Sequence, residues 1–264
     1  MELVETIVTF CEMDELELRS FLIKNLVLKG FSLKRDNYKS SRNPSSLLGN
    51  MLFIRGNPKI CFVAHTDVCR DHSFMKANGA SAVPSAVVRV FEDADTGELK
   101  TIIHDEECKT QLGGDDRLGV ALIYNLIMNT DKDVAALFTT DEEIGTVSAA
   151  QVSFNELLEM DLLVQIDRGN HSNQLVNSIY GQKICSDFLV KKLCRIAVEI
   201  GHPRDIVEGM LTDVATIIEN GVARNAVNMT CGYHNSYGSA GDEYIDVKEA
   251  LETKKFMKAI LDKF

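Results

Sequence analysis

The chain has 264 residues, enough for one large α/β domain or two small ones. Hydrophobic residues make up 45% and charged residues 25%, which excludes a disordered or fibrous chain and describes a soluble globular one. The net charge of −11 argues against a nucleic acid or an anionic membrane as partner, because both repel an acidic protein.

The first residues carry acids, Glu2 and Glu5, where a secretory signal would carry basic groups. No apolar run approaches the length of a membrane span. Seven cysteines are an odd number at scattered spacing with no Cys-x-x-Cys pair, which speaks against a disulfide framework and against a thiolate zinc site. Reduced thiols in a soluble, cytoplasmic protein are the expectation.

In chain order, residues 13–29 predict a helix with Leu18, Phe21, Leu22, Asn25 and Leu26 in register and Gly30 as its stop. Residues 51–54 and 60–64 predict strands separated by the turn Gly56-Asn57-Pro58, the second buried on both faces. Residues 86–91 and 99–104 flank Asp95-Thr96-Gly97 as a hairpin. After Gly113 and Gly114, Asp115 is placed to cap a helix over 116–128. A strand over 134–139, a short helix over 154–159 and a strand over 162–166 follow. Further on come a helix over 184–200, a helical stretch over 213–219, a strand over 222–228 and a closing helix over 247–262. Apolar strands alternating with helices predict the α/β class: three layers, with a mixed, mostly parallel sheet and helices on both faces.

Polar groups in such folds gather at the carboxyl ends of strands, and this sequence loads them there. The apolar run 134–138 ends in three adjacent acids, Asp141, Glu142 and Glu143, whose mutual repulsion calls for a positive partner. Of two neighbouring glutamates, one can bind a metal while the other takes a proton from water. His65 follows the buried strand 60–64, with Asp67 two residues on as a carboxylate able to hold its second ring nitrogen. Asp115 and Asp116 open a helix, Asp167 ends the strand 162–166, and His234 lies in a loop. Each group has a plain structural explanation by itself: a cap, a turn residue, a surface histidine. Together they look like the parts of a two-metal site, and oxygen and imidazole donors without thiolates suit zinc, cobalt or manganese.

These segments resemble a known superfamily, the co-catalytic di-zinc exopeptidases that include peptidase T, the acetylornithine deacetylase-like deacylases and the glutamyl aminopeptidases. The resemblance runs through residues 63–67 (Val-Ala-His-Thr-Asp), 112–119 (Leu-Gly-Gly-Asp-Asp-Arg-Leu-Gly), 138–145 (Phe-Thr-Thr-Asp-Glu-Glu-Ile-Gly), 163–167 and Tyr233-His234, with the second and third segments the most specific. It implies a zinc-exopeptidase fold in which His65 and Asp167 bind one ion, Glu143 and His234 a second, and Asp115 bridges both. Asp67 would orient His65, and Glu142 would be the general base. The implied activity is metal-dependent hydrolysis of a peptide bond, as an aminopeptidase on short peptides, with deacylation of N-acyl amino acids as the alternative. A non-catalytic binding protein that has kept the fold is a reading of another class. Too few residues lie between Asp167 and His234, or between His65 and Asp115, for the separate domain of larger relatives, so a single catalytic domain over 1–264 without an inserted lid is expected. Asp213 is expected to be a helix cap rather than a support for the site. Arg168 has two readings, a surface ion pair or a contact for a substrate carboxylate, and the sequence leaves both open.

Overall fold

A computed structural model describes residues 2–40, 49–69, 83–94, 96–239 and 241–264. Two helices open the chain, α1 (Leu3–Glu12) and α2 (Glu15–Leu28). The single helix expected from residue 13 is thus the second of a pair. Asp14 and Glu17 form a reciprocal capping box that starts α2 and separates it from α1. Leu3, Ile7, Phe10 and Cys11 give α1 its buried stripe.

The strands β1 (Ser32–Arg35), β2 (Met51–Arg55) and β3 (Ile60–His65) follow, then the hairpin β4 (Ala86–Glu92) and β5 (Leu99–Asp105). Asp95, assigned to the hairpin turn, lies outside the described residues; Gly97 in the same turn has φ of +70°. Next come α3 (Gly114–Met128), β6 (Val134–Thr139), two 3₁₀ turns (Ala149–Gln151 and Asn155–Glu159) and β7 (Leu162–Arg168). The rest of the chain contributes β8 (Gln174–Ile179), β9 (Gln182–Lys183), α4 (Asp187–Glu199), β10 (Asp205–Gly209), α5 (Asp213–Glu219), β11 (Ala226–Thr230), β12 (Tyr233–His234), β13 (Tyr244–Asp246) and α6 (Val247–Lys263).

The main sheet runs β1-β2-β6-β3-β7-β11-β8-β10, with β9 paired to β8. Its centre, β6-β3-β7-β11, is parallel, while β1, β2 and the β11–β8 pair are antiparallel. All six residues of β3 and of β6 are buried, as a central strand covered on both faces requires. Alternate residues feed two cores. Ile60, Phe62 and Ala64 pack with α1, α2, α3, α4 and α6, whereas Cys61 and Val63 pack with α5 and the 3₁₀ turns. The mixed three-layer α/β architecture is therefore present, with one helical layer much thinner than the other. None of the seven cysteines is in a disulfide, and no helix of the described residues is long and apolar enough to cross a membrane.

A second sheet, β12-β13-β5-β4, is wholly antiparallel and stands beside α3 and α6. It gives the predicted hairpin its purpose. β5 carries β13, and β13 carries the short strand β12 on which His234 sits.

Candidate metal centre

His65 is the last residue of β3 and has no exposed surface. Its backbone N–H donates to Asp116 Oδ2 at 3.2 Å. Its ring nitrogen Nδ1 lies 2.9 Å from the Asp67 carbonyl oxygen and 3.4 Å from Asp67 Oδ1. With Nδ1 held there as a donor, Nε2 is the free donor atom of the ring. That atom faces Asp115 Oδ1 at 3.0 Å, Asp167 Oδ1 at 3.6 Å and Glu142 Oε2 at 3.9 Å.

Of the two aspartates that open α3, Asp115 is not the cap that its position suggested, and it is the one that meets His65. Asp116 is the cap: its Oδ1 accepts the Gly119 N–H at 3.1 Å, three residues into the helix. Asp115 makes no cap bond and has non-helical backbone angles, which leaves its carboxylate free to face His65. Glu243, a residue not singled out in the sequence, accepts the N–H of Gly113 at 2.8 Å and of Asp115 at 3.3 Å and so fixes this turn. Gly119 has no room for a side chain. A Cβ there would collide with Asp116 Oδ1 and with the carbonyl oxygen of Ile166, the residue before Asp167.

Asp167 is held on every side. Gln165 Nε2 donates to its Oδ2 at 2.9 Å and the Tyr233 hydroxyl to its Oδ1 at 3.2 Å. Its backbone exchanges bonds with the Asn228 amide at 3.0 and 2.9 Å. After β6 the chain turns through Asp141 at φ of +54°, where the Tyr38 hydroxyl donates to Asp141 Oδ2. This turn brings the Glu142 and Glu143 N–H groups onto the two oxygens of Asp67, at 3.2 and 3.3 Å. Asp67 thus braces both the imidazole and the glutamate turn.

Asp213 is not the cap that was expected. It makes no cap bond for α5; Thr139 Oγ1 donates to its Oδ2, its Oδ1 has no partner, and the residue is fully buried at the back of the site. Arg168 stands on the wall of the cleft with Nε donating to Gln174 Oε1 at 2.7 Å. Beneath the site lies a polar layer that the sequence reading missed. Arg19 and Glu15, one helical turn apart on α2, are buried and bind Thr66, Thr139 and Thr140 at the ends of β3 and β6. Their i, i+4 spacing on an otherwise apolar face was the available signal.

His234 is not brought to the cluster. Successive residues of a strand point to opposite faces. Tyr233 uses the face toward Asp167, so His234 turns the other way. There its Nε2 lies 3.1 Å from Glu249 Oε2 on α6, and its ring stacks on Tyr244 at 4.8 Å between centroids. Glu143 meets Tyr237, whose hydroxyl donates to Oε2 at 3.1 Å, and the Cys69 thiol.

Burial and mutual repulsion disturb the whole set. Burial, joined by the Asp115 charge, pushes Asp167 up to about 6 and Glu143 to about 8. Burial, joined by the charges of Asp167 and Asp67, pushes Asp213 up to about 7 against the pull of His65 and the Thr139 hydroxyl. Glu142 is also raised well above the carboxylate range by burial. Burial opposes a charge on His65, yet Asp167, Asp115 and Asp67 overcome it and hold the ring's affinity for a proton well above normal. So many buried acids around one imidazole offer the oxygen and nitrogen donors that a cation would need. Donor atoms of His65, Asp115 and Asp167 lie within 4.8 Å of one another, the one such group among the described residues. The centre forms one end of a cleft of about 430 Å³ lined also by Glu142, Arg168, His171, Tyr233 and Tyr237. A larger cleft of about 710 Å³ between β5 and α6 contains none of these groups.

No protein-family model matches the chain, and no curated relative matches its sequence. Its fold, however, is shared with solved aminopeptidase structures along nearly the whole chain. Aminopeptidase PepT from Bacillus cereus is 15% identical, with 98% of this chain and 97% of that one covered and a TM-score of 0.74. A tripeptidase from Staphylococcus aureus is 13% identical, with 98% and 96% covered and a TM-score of 0.71. An aminopeptidase from the archaeon Desulfurococcus kamchatkensis is 15% identical, with 99% and 95% covered and a TM-score of 0.67.

Proposed function

We propose that the protein is a metal-dependent exopeptidase, an aminopeptidase acting on short peptides, built as one catalytic domain without an inserted lid. The observation that carries this reading is the convergence of three carboxylates on His65 Nε2 at 3.0–3.9 Å, at the end of an open cleft. The shared fold of the aminopeptidases and the tripeptidase supports it.

His65, Asp115 and Asp167 would hold the metal, zinc by preference, with cobalt and manganese suited to the same donors. A divalent ion there supplies Lewis acidity, polarising the scissile carbonyl and easing deprotonation of water. Glu142 is the base. It is mostly buried with a raised proton affinity, stands beside the cluster without being tied into it, and can take a proton from the attacking water and return it to the leaving amine. Asp67 keeps the imidazole turned toward the ion. Arg168 offers its guanidinium to the carboxylate of a short substrate. The free thiols fit a cytoplasmic protein.

A panel of aminoacyl-anilides, dipeptides and N-acetyl amino acids with zinc, cobalt or manganese tests the reading. Turnover of the first two classes is the expected result. Turnover of N-acetyl amino acids alone would replace the aminopeptidase with a deacylase, and no turnover of any class would leave the non-catalytic alternative. Glu142→Gln should retain metal and lose about 10²–10⁴-fold in rate.

A further inference from the structure

We propose that Met210 and Leu211 form the subsite for the side chain of the amino-terminal residue of the peptide, and that they select a large apolar residue there over a small or acidic one. The inference rests on the aminopeptidase reading above and adds to it the class of side chain that the cleft accepts.

Both residues lie in the short crossing from β10 to α5, and both line the cleft of about 430 Å³ that ends at the metal centre. The crossing is pinned at its two ends. Gly209 lies so close to β8 that a Cβ there would meet Val176 and Ile179 at 2.6 and 3.0 Å. Thr212, next after Leu211, donates its hydroxyl to Asp167 Oδ2 at 3.4 Å and accepts from Asn228 at 3.3 Å. The Val214 N–H donates to Gln165 Oε1 at 2.9 Å, and Gln165 also holds Asp167. Met210 and Leu211 are thus carried on backbone anchored to a metal-ligand candidate.

The two side chains are 74% and 48% exposed. Apolar surface left in water is unfavourable by roughly 25 cal/mol per Å², so an apolar side chain laid over them is bound. The unbranched thioether of Met210 adapts to leucine, methionine or phenylalanine alike. The loop after the glutamate turn adds Ile144 and Val147, also partly exposed, and Thr146 between them is bonded to Thr216 on α5 at 2.8 Å. Glu208, two residues before Met210, lines the same cleft and repels an acidic side chain.

The position of Arg168 fixes which end of the peptide lies here. Its Nε bonds Gln174, the first residue of β8, whereas Met210 follows Gly209, which pairs with Ile179, the last residue of β8. The two belong to opposite ends of that strand. With the substrate carboxylate at Arg168, the amino-terminal residue falls to Met210 and Leu211.

Steady-state kinetics of the full chain loaded with zinc test this, on the anilides of leucine, methionine, phenylalanine, alanine, lysine and glutamate. In the wild type kcat/KM should be about tenfold or more higher for the leucine anilide than for the alanine anilide, and lowest for the glutamate one. The double variant Met210→Ser with Leu211→Ser should bring the leucine-to-alanine ratio down to about one, and Met210→Leu should keep it high. A ratio taken within one preparation does not depend on how much of a variant is folded. Equal rates for leucine and alanine in the wild type, or fastest hydrolysis of the lysine or glutamate anilide, would overturn the inference and leave the aminopeptidase reading intact. An unchanged ratio in the double variant would overturn the role given to the two residues. No hydrolysis of any anilide would overturn that reading and the inference with it.

Discussion

The carboxylate of Asp67 accepts the backbone N–H of Glu142 at 3.2 Å while its other contacts reach the His65 ring. One buried side chain therefore ties the imidazole at the end of β3 to the glutamate turn at the end of β6. Asp67→Ala removes both ties. Metal affinity is expected to fall about 10–100-fold, as for other outer partners of a histidine ligand. A zinc-binding isotherm measures it, and unchanged affinity would show that the Asp67 carbonyl oxygen suffices to hold the ring.

Gly119 sits where α3 crosses β7. Gly119→Ala would press a methyl group into Asp116 and the carbonyl oxygen of Ile166. Overpacking of this kind costs about 1–3 kcal/mol, and here it also pushes on the strand that carries Asp167. Loss of zinc affinity together with lowered thermal stability is expected. A stability loss with intact zinc binding would separate the packing role from the site.

Stability of the metal-free protein should depend on pH in a definite direction. Asp167, Asp213 and Glu143 are raised to about 6, 7 and 8, and the proton affinity of His65 is raised as well. For each of these the folded state binds its proton more tightly than the unfolded chain does. The associated stability is present at low pH and is lost as pH rises through the folded values. Asp115 shifts downward, but its loss of stability falls below the ordinary carboxylate range, outside this window. The metal-free protein should therefore melt higher at pH 5.5 than at pH 8, by about 2–4 °C for each kcal/mol relieved. Zinc should raise the melting temperature most at pH 8, since the cation replaces the missing protons. Differential scanning calorimetry with and without zinc checks both slopes.

Removing the charge at Asp213 isolates its share. Asp213→Asn keeps an oxygen for the Thr139 hydroxyl and removes a carboxylate that has an unpartnered oxygen. The metal-free variant should be more stable than the wild type at pH 8 and little different at pH 5.5. Equal melting temperatures at both pH values would contradict the raised proton affinity.

Arg168 stands on the cleft wall, where its Nε donates to Gln174 Oε1. Arg168→Ala should raise KM for dipeptides about tenfold or more and leave aminoacyl-anilides, which lack the carboxylate, nearly unaffected. Equal losses on both substrates would assign Arg168 to the structure of the cleft.

Much of the fold was legible because burial writes a strong local pattern. Residues 60–64 and 134–138 are unbroken apolar runs, and they became the paired central strands β3 and β6. Because those two strands pair parallel, the acids and the histidine that follow them emerge at one edge of the sheet. β8 and β10 carry half-exposed, weakly patterned sequences and were not legible, and β11 starts at Ala226 rather than at residue 222 because 222–225 form the turn into it. Helix α1 escaped because its stripe is short and joins α2 across a single capping box.

The sequence by itself determined that His65, Asp115, Glu142, Glu143 and Asp167 lie near the ends of buried segments, since strand ends follow from local hydrophobic runs. Only the tertiary structure decided what each faces. Asp115 and Asp116 are chemically alike, and the contact of α3 with β7 made one a cap and the other a partner of His65. Tyr233 and His234 are adjacent, and which of them enters the site depends on parity along a two-residue strand. That parity is set by pairing with β13, and through it with β5, more than a hundred residues earlier in the chain.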